Sequence, residues 1–343
     1  MDMVFEKKIP LTKHHELIGG TMEIFYLTLK QMLLMFSLIL VGFILRKTSR
    51  LPENSDTVMA KMETFIFVPA LSLFNQMTKC TVKTFTENAS LILYGFIIVT
   101  ASILLAYPLS RCFIKKNLDN SETEYQRNVY KYAMTFGNFG FMGNFIILGV
   151  WGNDLFYKYT LFTFLVGVLC NSWGLYVLIP KDKSAGLLAN LKKGFLTPPM
   201  IALFLGMLIG LLDLSKFVPE FLIDAFDSAG QCQGPVAMVL AGFVIGGYNF
   251  KELILNKKVY VASFLRLIVL PAILMLILKG IGASDELMTL ALVAFGTPLG
   301  LNTIVYPAAY GGETKTGASM TMISHTLSIA TIPLMYLVFI VMM

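Results

Sequence analysis

Long apolar stretches alternate with short polar connectors along the whole chain. A helix that spans a bilayer needs about 20 mostly apolar residues. Stretches of this kind occupy residues 24–45, 56–77, 89–110, 129–150, 156–179, 198–214, 219–247, 258–279, 286–309 and 314–342. The pattern therefore predicts an all-α integral membrane protein with about ten transmembrane helices.

The most polar connector, residues 180–197, lies near the middle of the chain and divides the predicted helices five and five. It separates a first five-helix unit, 24–179, from a second, 198–343, and a polar arm of residues 1–23 precedes both. Lys and Arg are concentrated in the connectors on the side of 180–197, which predicts a cytoplasmic central loop and extracytoplasmic termini in the plasma membrane. Because each unit has an odd number of helices, the second must enter from the opposite side, as in an inverted repeat.

The composition excludes several classes of protein. Charged residues make up 14% of the chain and hydrophobic residues 56%, whereas a soluble domain is roughly 25% charged. A soluble enzyme and a nucleic-acid-binding protein are therefore excluded. The 4 cysteines are scattered, and no metal-ligand, cofactor or catalytic motif occurs in the sequence. We expect no metal, no cofactor and no enzymatic activity.

The two halves share a weak internal similarity. Phe136-Gly137-Asn138 in the fourth predicted helix resembles Phe295-Gly296-Thr297 in the ninth. The two motifs are 159 residues apart. A shift by this number of residues superimposes the ninth predicted helix on the fourth and brings the tenth close to the fifth. The coincidence of motif and spacing supports two related units.

Glycine and proline cluster inside these same two helices. The fourth contains Gly137, Gly140 and Gly143, and the ninth contains Gly296, Pro298 and Gly300, followed by Pro307. In a helix interior, glycine costs about 1 kcal/mol and proline about 3 kcal/mol. Backbone freed from a helix within the bilayer must line a cavity or be buried in protein. We therefore expect both helices to be interrupted and to meet near the bilayer midplane.

Interrupted helices present unpaired N–H groups and partial positive charge at their N-terminal ends, which suits an anion. The predicted substrate-binding residues are Gly137, Asn138, Gly140, Gly143, Asn144, Gln231, Gln233, Thr297, Pro298, Asn302 and Thr303. The alternative is that glycines only permit close helix packing. We favour that alternative for the glycines of the sixth and seventh helices, which are Gly206, Gly210, Gly242 and Gly246.

At these positions the sequence resembles the auxin efflux carrier family of secondary transporters, which includes bacterial malate and other organic-acid permeases. The similar segments are 137–143, 296–302, 310–312 and 326–334. The resemblance covers nearly the whole chain. It implies a sodium/proton-antiporter-like fold, in which a scaffold domain supports a transport domain whose two broken helices cross at the substrate site.

The sequence departs from the family pattern in three places. The Asn-Pro pair of plant members is replaced by Asn138-Phe139 and by Thr297-Pro298. His325 stands where relatives often carry a small hydroxyl residue, and the central loop is short, as in bacterial members. The first departure argues against auxin itself as the substrate.

Ionisable residues inside predicted spans are functional candidates, because burying them in lipid is costly. Glu63 and Asp227 are candidates for proton coupling, although Glu63 could instead pair with Lys30 or Lys61. Arg266 could bind a substrate carboxylate or form a structural pair with Asp224 or Asp227. His325 could titrate near neutral pH or serve only as a hydrogen-bonding group.

Together these features predict a secondary active transporter that moves a small organic anion, a malate-like mono- or dicarboxylate, by alternating access as a symporter or uniporter. The coupling ion would be H⁺ or Na⁺, and the protein could form a homodimer. Two alternatives remain open, a cation/proton antiporter of similar fold and a non-transporting membrane sensor. An antiporter would need paired acidic residues at the crossing, and the segments around the two expected interruptions, 135–152 and 294–312, contain none.

Overall fold

The computed structural model describes residues 17–114, 121–179 and 196–342. Within these ranges the regular structure is helical, with one isolated bridge between two extended segments. The helices are α1 (Leu17–Lys47), α2 (Ser55–Lys79), α3 (Val82–Phe113), α4 (Ser121–Thr135), α5 (Phe139–Gly152), α6 (Asp154–Phe162), α7 (Phe164–Leu178), α8 (Pro198–Leu211), α9 (Glu220–Gly246), α10 (Phe250–Ile254), α11 (Lys257–Gly280), α12 (Asp285–Gly296), α13 (Asn302–Tyr310) and α14 (Lys315–Ile340).

Six helices of the described residues are long and apolar enough to cross a membrane: α1, α2, α3, α9, α11 and α14. A seventh span results if α6 and α7, which are bent by 49° at Thr163, are counted as one. The remaining predicted spans are not long single helices. The fourth and ninth are interrupted, and the sixth, α8, has only 14 residues. The count of ten spans and their five-plus-five repeat therefore stay predictions.

The ends of the predicted units fall partly outside the described residues. Helix α1 begins at Leu17, inside the segment expected to be a polar arm, and residues 1–16 are not described. Of the central connector, 180–195 are also outside the description. The next helix, α8, begins directly after Thr197 with two prolines, which are well tolerated in a first turn because its N–H groups have no helical partner.

The packing divides most of the helices into two sets. The frame set comprises α1, α2, α8 and α9, and the crossing set comprises α3–α7 and α11–α14. In the frame set, α1 lies along the second half of α9, and α2 packs against α8 and the first half of α9. In the crossing set, α3 packs against α4, α6 and α7, while α14 packs against α11, α12 and α13. The interrupted helices α4, α5, α12 and α13 belong to the crossing set.

Glycines bring the frame helices into backbone contact. A Cβ atom on Gly42 would collide with the Val239 carbonyl, and one on Gly242 with the Ile39 carbonyl. The other three predicted packing glycines, Gly206, Gly210 and Gly246, also face neighbouring helices at distances too short for a side chain. The packing interpretation of the glycines in the sixth and seventh helices is therefore confirmed.

Candidate substrate site at the crossing of two interrupted helices

The first interruption lies between α4 and α5. The helix stops at Thr135, and the backbone at Asn138 has φ −80° and ψ 47°, outside the helical range. A π-helical turn, Phe139–Gly143, then begins α5. At Gly137 a Cβ atom would lie 2.5 Å from the Thr297 hydroxyl and 2.7 Å from Nη2 of Arg266. Glycine is required there because the second interruption approaches so closely.

The second interruption lies between α12 and α13. Helix α12 stops at Gly296, Thr297 is extended with ψ 155°, and helix resumes at Asn302. Pro298 falls inside this gap and so disrupts no helical hydrogen bond. Pro307, which the sequence placed in the same breaking cluster, instead lies within the continuous helix α13.

The two interruptions cross and are joined through their backbones. Gly137 and Leu299 form an isolated antiparallel bridge, and the Asn138 amide donates a 2.8 Å hydrogen bond to the Pro298 carbonyl. The crossing is buried, since Thr297 and Leu299 have no exposed surface. The predicted meeting of the two interrupted segments is therefore present in the structure.

Each interruption leaves backbone amides without a partner at the start of the following helix. In α5 the first amides that bond back along the chain are those of Met142 and Gly143, both to the Asn138 carbonyl. In α13 the first is that of Thr303. Ahead of them, the amides of five residues have no hydrogen-bond acceptor within the described ranges: Phe139, Gly140, Phe141, Leu301 and Asn302. Such N-terminal amides carry partial positive charge.

A cavity of about 140 Å³ adjoins these helix starts. It lies between the two sets of helices, because α2, α8 and α9 line one side and α5, α6, α7 and α13 the other. Its polar side chains are all uncharged: Thr64, Ser72, Asn75, Gln76, Asn138, Asn144, Thr160, Thr163, Asn171, Gln233, Asn302 and Tyr306, together with the thiol of Cys170. The lining also includes Phe139, Gly140, Phe141 and Leu301, so all five unpartnered amides belong to residues around the cavity.

The cavity brings together six of the predicted substrate-binding residues: Gly137, Asn138, Gly140, Asn144, Gln233 and Asn302. Three others, Thr297, Pro298 and Thr303, form the crossing behind it. The Thr303 hydroxyl, for example, donates 2.8 Å to the Gly300 carbonyl of its own turn.

Gly143 and Gln231 also lie outside the cavity lining. Gly143 makes room for the Tyr159 hydroxyl, which donates to the Phe139 carbonyl at 3.0 Å. Gln231 is exposed and donates to Asp227 at 2.8 Å. The structure therefore does not bring Gln231 or Asp227 to the crossing. Gln231 is thus exposed although it precedes the buried Gln233 by only two residues.

Arg266 lies at the C-terminal ends of the helices that precede the two interruptions, whereas the cavity adjoins the N-terminal ends of the helices that follow them. It projects from a π-helical turn of α11, is 1% exposed, and donates through Nη1 to the carbonyls of Met134 at 3.1 Å and Thr135 at 3.3 Å. Its Cζ lies 6.0 Å from the ring of Phe295, near the end of α12. Neither Asp224 nor Asp227 forms an ion pair with it in the described structure. Arg266 contacts helix carbonyls, not an acidic side chain and not the cavity.

This position divides the charges at the crossing. Helix C-termini carry about −0.5 charge each and N-termini about +0.5. The guanidinium of Arg266 binds the C-terminal carbonyls of α4 and lies near the ring of Phe295 at the end of α12. The N-termini of α5 and α13 remain as the positive ends around the cavity.

Glu63 lies in a π-helical turn of α2 with no exposed surface. Neither carboxyl oxygen has a partner with hydrogen-bond geometry in the described chain, although the backbone of Ala237 in α9 is close. Lys30 and Lys61, the alternative partners, are exposed and unpaired with it. The next residue, Thr64, lines the cavity. Glu63 is thus a buried carboxyl group one residue from the candidate site.

His325 of α14 is 1% exposed and lies 2.9 Å from Asn138, measured from Nε2 to Nδ2. It therefore contacts a cavity residue without lining the cavity itself.

Sequence reasoning missed a group of polar residues on the far side of the cavity. Nδ2 of Asn302 lies 3.0 Å from the Tyr132 hydroxyl and 3.3 Å from the Cys170 thiol. The Tyr306 hydroxyl donates to Asn171 at 2.6 Å. Tyr306 follows Asn302 by four residues and so shares its helix face, a spacing that could have identified it. Asn75 and Gln76 of α2 had no comparable signal, because they come from the other helix set.

Comparison with known proteins gives one family. A family model described as membrane transport protein matches the chain twice, over residues 27–190 and 185–336, and the two matches meet at the central connector. None of the curated proteins matches the sequence. Together the matches span nearly the whole chain, and the family's members are transporters, not enzymes. The chain belongs to the auxin efflux carrier family of membrane transport proteins.

Proposed function

We propose that this multi-pass membrane transporter is a secondary carrier for a small organic anion. The observation that carries the proposal is the set of unpartnered amides at two helix N-termini around a cavity without charged side chains. Such amides suit a carboxylate. A cation/proton antiporter would need acidic groups at this place, and none belongs to the described lining.

The charge at the cavity favours one carboxylate per substrate. Two helix N-termini together supply about one positive charge, and Arg266 does not line the cavity but donates through Nη1 to the C-terminal carbonyls of α4. A second carboxylate would meet only carboxamides and hydroxyls, which offset its desolvation poorly. The carboxamides of Asn75, Asn144 and Asn171 suit hydroxyl or keto groups instead. The substrate class that fits best is a small hydroxy or keto monocarboxylate, within the wider mono- or dicarboxylate prediction.

The location of the cavity between the two helix sets suggests how it would open. The frame helices α1, α2, α8 and α9 would stay fixed, while the crossing helices carry the substrate past them in alternating access. The sodium/proton-antiporter-like arrangement implied by the family resemblance would provide this division. Both termini would lie outside the cell membrane and the central loop in the cytoplasm, and a homodimer remains a prediction.

An ion gradient would drive transport, with H⁺ preferred over Na⁺. Glu63 supports this choice, because a buried carboxyl group without a cationic partner holds a proton more readily than a metal ion. Glu63 does not line the cavity itself, but the following residue, Thr64, does.

Uptake into proteoliposomes tests the function. We expect radiolabelled L-lactate or pyruvate to accumulate when a pH gradient is imposed, and L-malate to compete weakly. A protein that moves Na⁺ or K⁺ against H⁺ without any carboxylate would be an antiporter. A correctly folded protein that moves neither would support the sensor hypothesis.

A further inference from the structure

Two consecutive residues of α14 hold the two interruptions. Ser324 accepts a hydrogen bond from the Leu299 amide at 3.2 Å and donates to the Met320 carbonyl at 2.6 Å. His325, the next residue, meets the carboxamide of Asn138 at 2.9 Å. Both are fully buried, with 0% and 1% exposed surface. Helix α14 therefore contacts one crossing segment through Ser324 and the other through His325.

The hydrogen bonds of Asn138 determine which way its carboxamide faces. Its Oδ1 accepts from the Met142 amide at 3.4 Å, in the first turn of α5. Because a backbone amide only donates, this contact favours the orientation with the oxygen toward Met142 and the nitrogen toward His325. In that orientation Nδ2 donates to Nε2 of His325.

In this orientation Nε2 is the bare acceptor, so the neutral ring carries its proton on Nδ1. Nδ1 has no hydrogen-bond partner within the described residues, and the backbone of Thr321, one turn earlier in α14, lies near the ring.

We propose that His325 is a positioning residue, whose bare Nε2 orients the Asn138 carboxamide so that an amide hydrogen remains available to an anion in the cavity. The role rests on the proposed function, since it concerns the same cavity. One Nδ2 hydrogen is used by His325, and the second is free for a ligand of the cavity that Asn138 lines. If Nε2 carried the proton, the carboxamide would have to rotate and present its nitrogen to the Met142 amide, which is also a donor.

The tautomer is tested without any substrate. The chain has 3 histidines, so a His14→Gln/His15→Gln variant leaves only His325 for ¹⁵N labelling of the full-length protein. We expect NMR to show a protonated Nδ1 and a bare Nε2. Asn138→Asp should reverse the two, because a carboxylate accepts from Nε2–H. Asn302→Asp, which lies on the other interruption, should leave them unchanged. A protonated Nε2 in the His325-only protein would overturn the proposal.

The role in binding is tested by calorimetry with L-lactate, pyruvate and L-malate as probes. His325→Gln retains an acceptor and should keep most of the affinity, while His325→Leu should weaken it about tenfold. Thr326→Ala, an exposed neighbour on the same helix, is the matched control. Thermal unfolding shows whether each variant is folded.

The outcomes separate the two proposals. A parent protein that binds none of the probes overturns the proposed function and this role with it. A parent protein that binds, together with a folded His325→Leu variant of equal affinity, overturns the positioning role alone. If His325→Leu does not fold, His325→Gln combined with the tautomer measurement decides, because loss of affinity in the Gln variant contradicts an acceptor role.

Discussion

The backbone amide of Asn138 donates a 2.8 Å hydrogen bond to the carbonyl of Pro298. This bond joins two helices that are each interrupted at the same depth of the protein. It satisfies backbone groups that could not remain unpaired inside a membrane protein. The amides just beyond it, at the starts of α5 and α13, have no hydrogen-bond acceptor within the described residues.

The close approach at Gly137 predicts that even a methyl group will disturb the crossing. In Gly137→Ala the Cβ atom would lie 2.5 Å from the Thr297 hydroxyl and 2.7 Å from Arg266. We expect a loss of about 1–3 kcal/mol in stability, measured as a lower thermal unfolding midpoint in detergent. Gly280→Ala is the control, because nothing lies within 4 Å of its Cβ position. Equal midpoints for both variants would contradict the described crossing.

The carbonyl contacts of Arg266 predict that it acts mainly in folding. Arg266→Met leaves the Met134 and Thr135 carbonyls without a donor, which we expect to cost about 1–3 kcal/mol. Arg266→Lys keeps the charge and should recover part of the stability. Lys279→Met, an exposed change in the same helix, should have no effect. A stable Arg266→Met protein that specifically loses carboxylate affinity would show that Arg266 binds the substrate directly.

Asn302 is predicted to contribute to binding, since it lines the cavity at the start of α13. Its carboxamide is held by Tyr132 and Cys170 at the far side of the cavity. Asn302→Ala should reduce L-lactate affinity about tenfold with little change in the unfolding midpoint. Asn88→Ala in α3 is the matched control, and unchanged affinity in Asn302→Ala would remove this residue from the site.

Glu63 is predicted to carry the coupling proton. Glu63→Gln preserves the shape of the side chain but cannot release a proton. We therefore expect uptake driven by a pH gradient to be lost, while exchange of labelled for unlabelled substrate continues. Glu87→Gln, at an exposed position of α3, should leave both activities intact. Gradient-driven uptake by Glu63→Gln would assign coupling to another group.

The interruptions could be predicted because their causes are local. Gly137 and Pro298 are costly in a helix wherever the rest of the chain lies, and the hydrophobic runs mark which segments are buried in the membrane. The same local reasoning fails at Pro307, which stays within helix α13. There, tertiary packing around the buried turn outweighs the cost of one proline.

The partners of the site residues could not be predicted, because they depend on contacts between distant helices. Arg266 binds two carbonyls of α4, and carbonyls have no signature in the sequence. Asp227 and Gln231 share a helix face with each other, but neither residue lines the cavity. Likewise, Asn75 and Gln76 join the lining only because α2 packs beside the crossing helices.

The backbone contact at Gly42 and Gly242 bears on how the sequence can vary. These positions lie far along the chain from both interruptions, yet any side chain there would force α1 and α9 apart. In a random mutagenesis screen they should tolerate fewer replacements than most residues that line the cavity. Positions of low tolerance will therefore mark the close contacts between the frame helices of this transporter as well as the proposed substrate site.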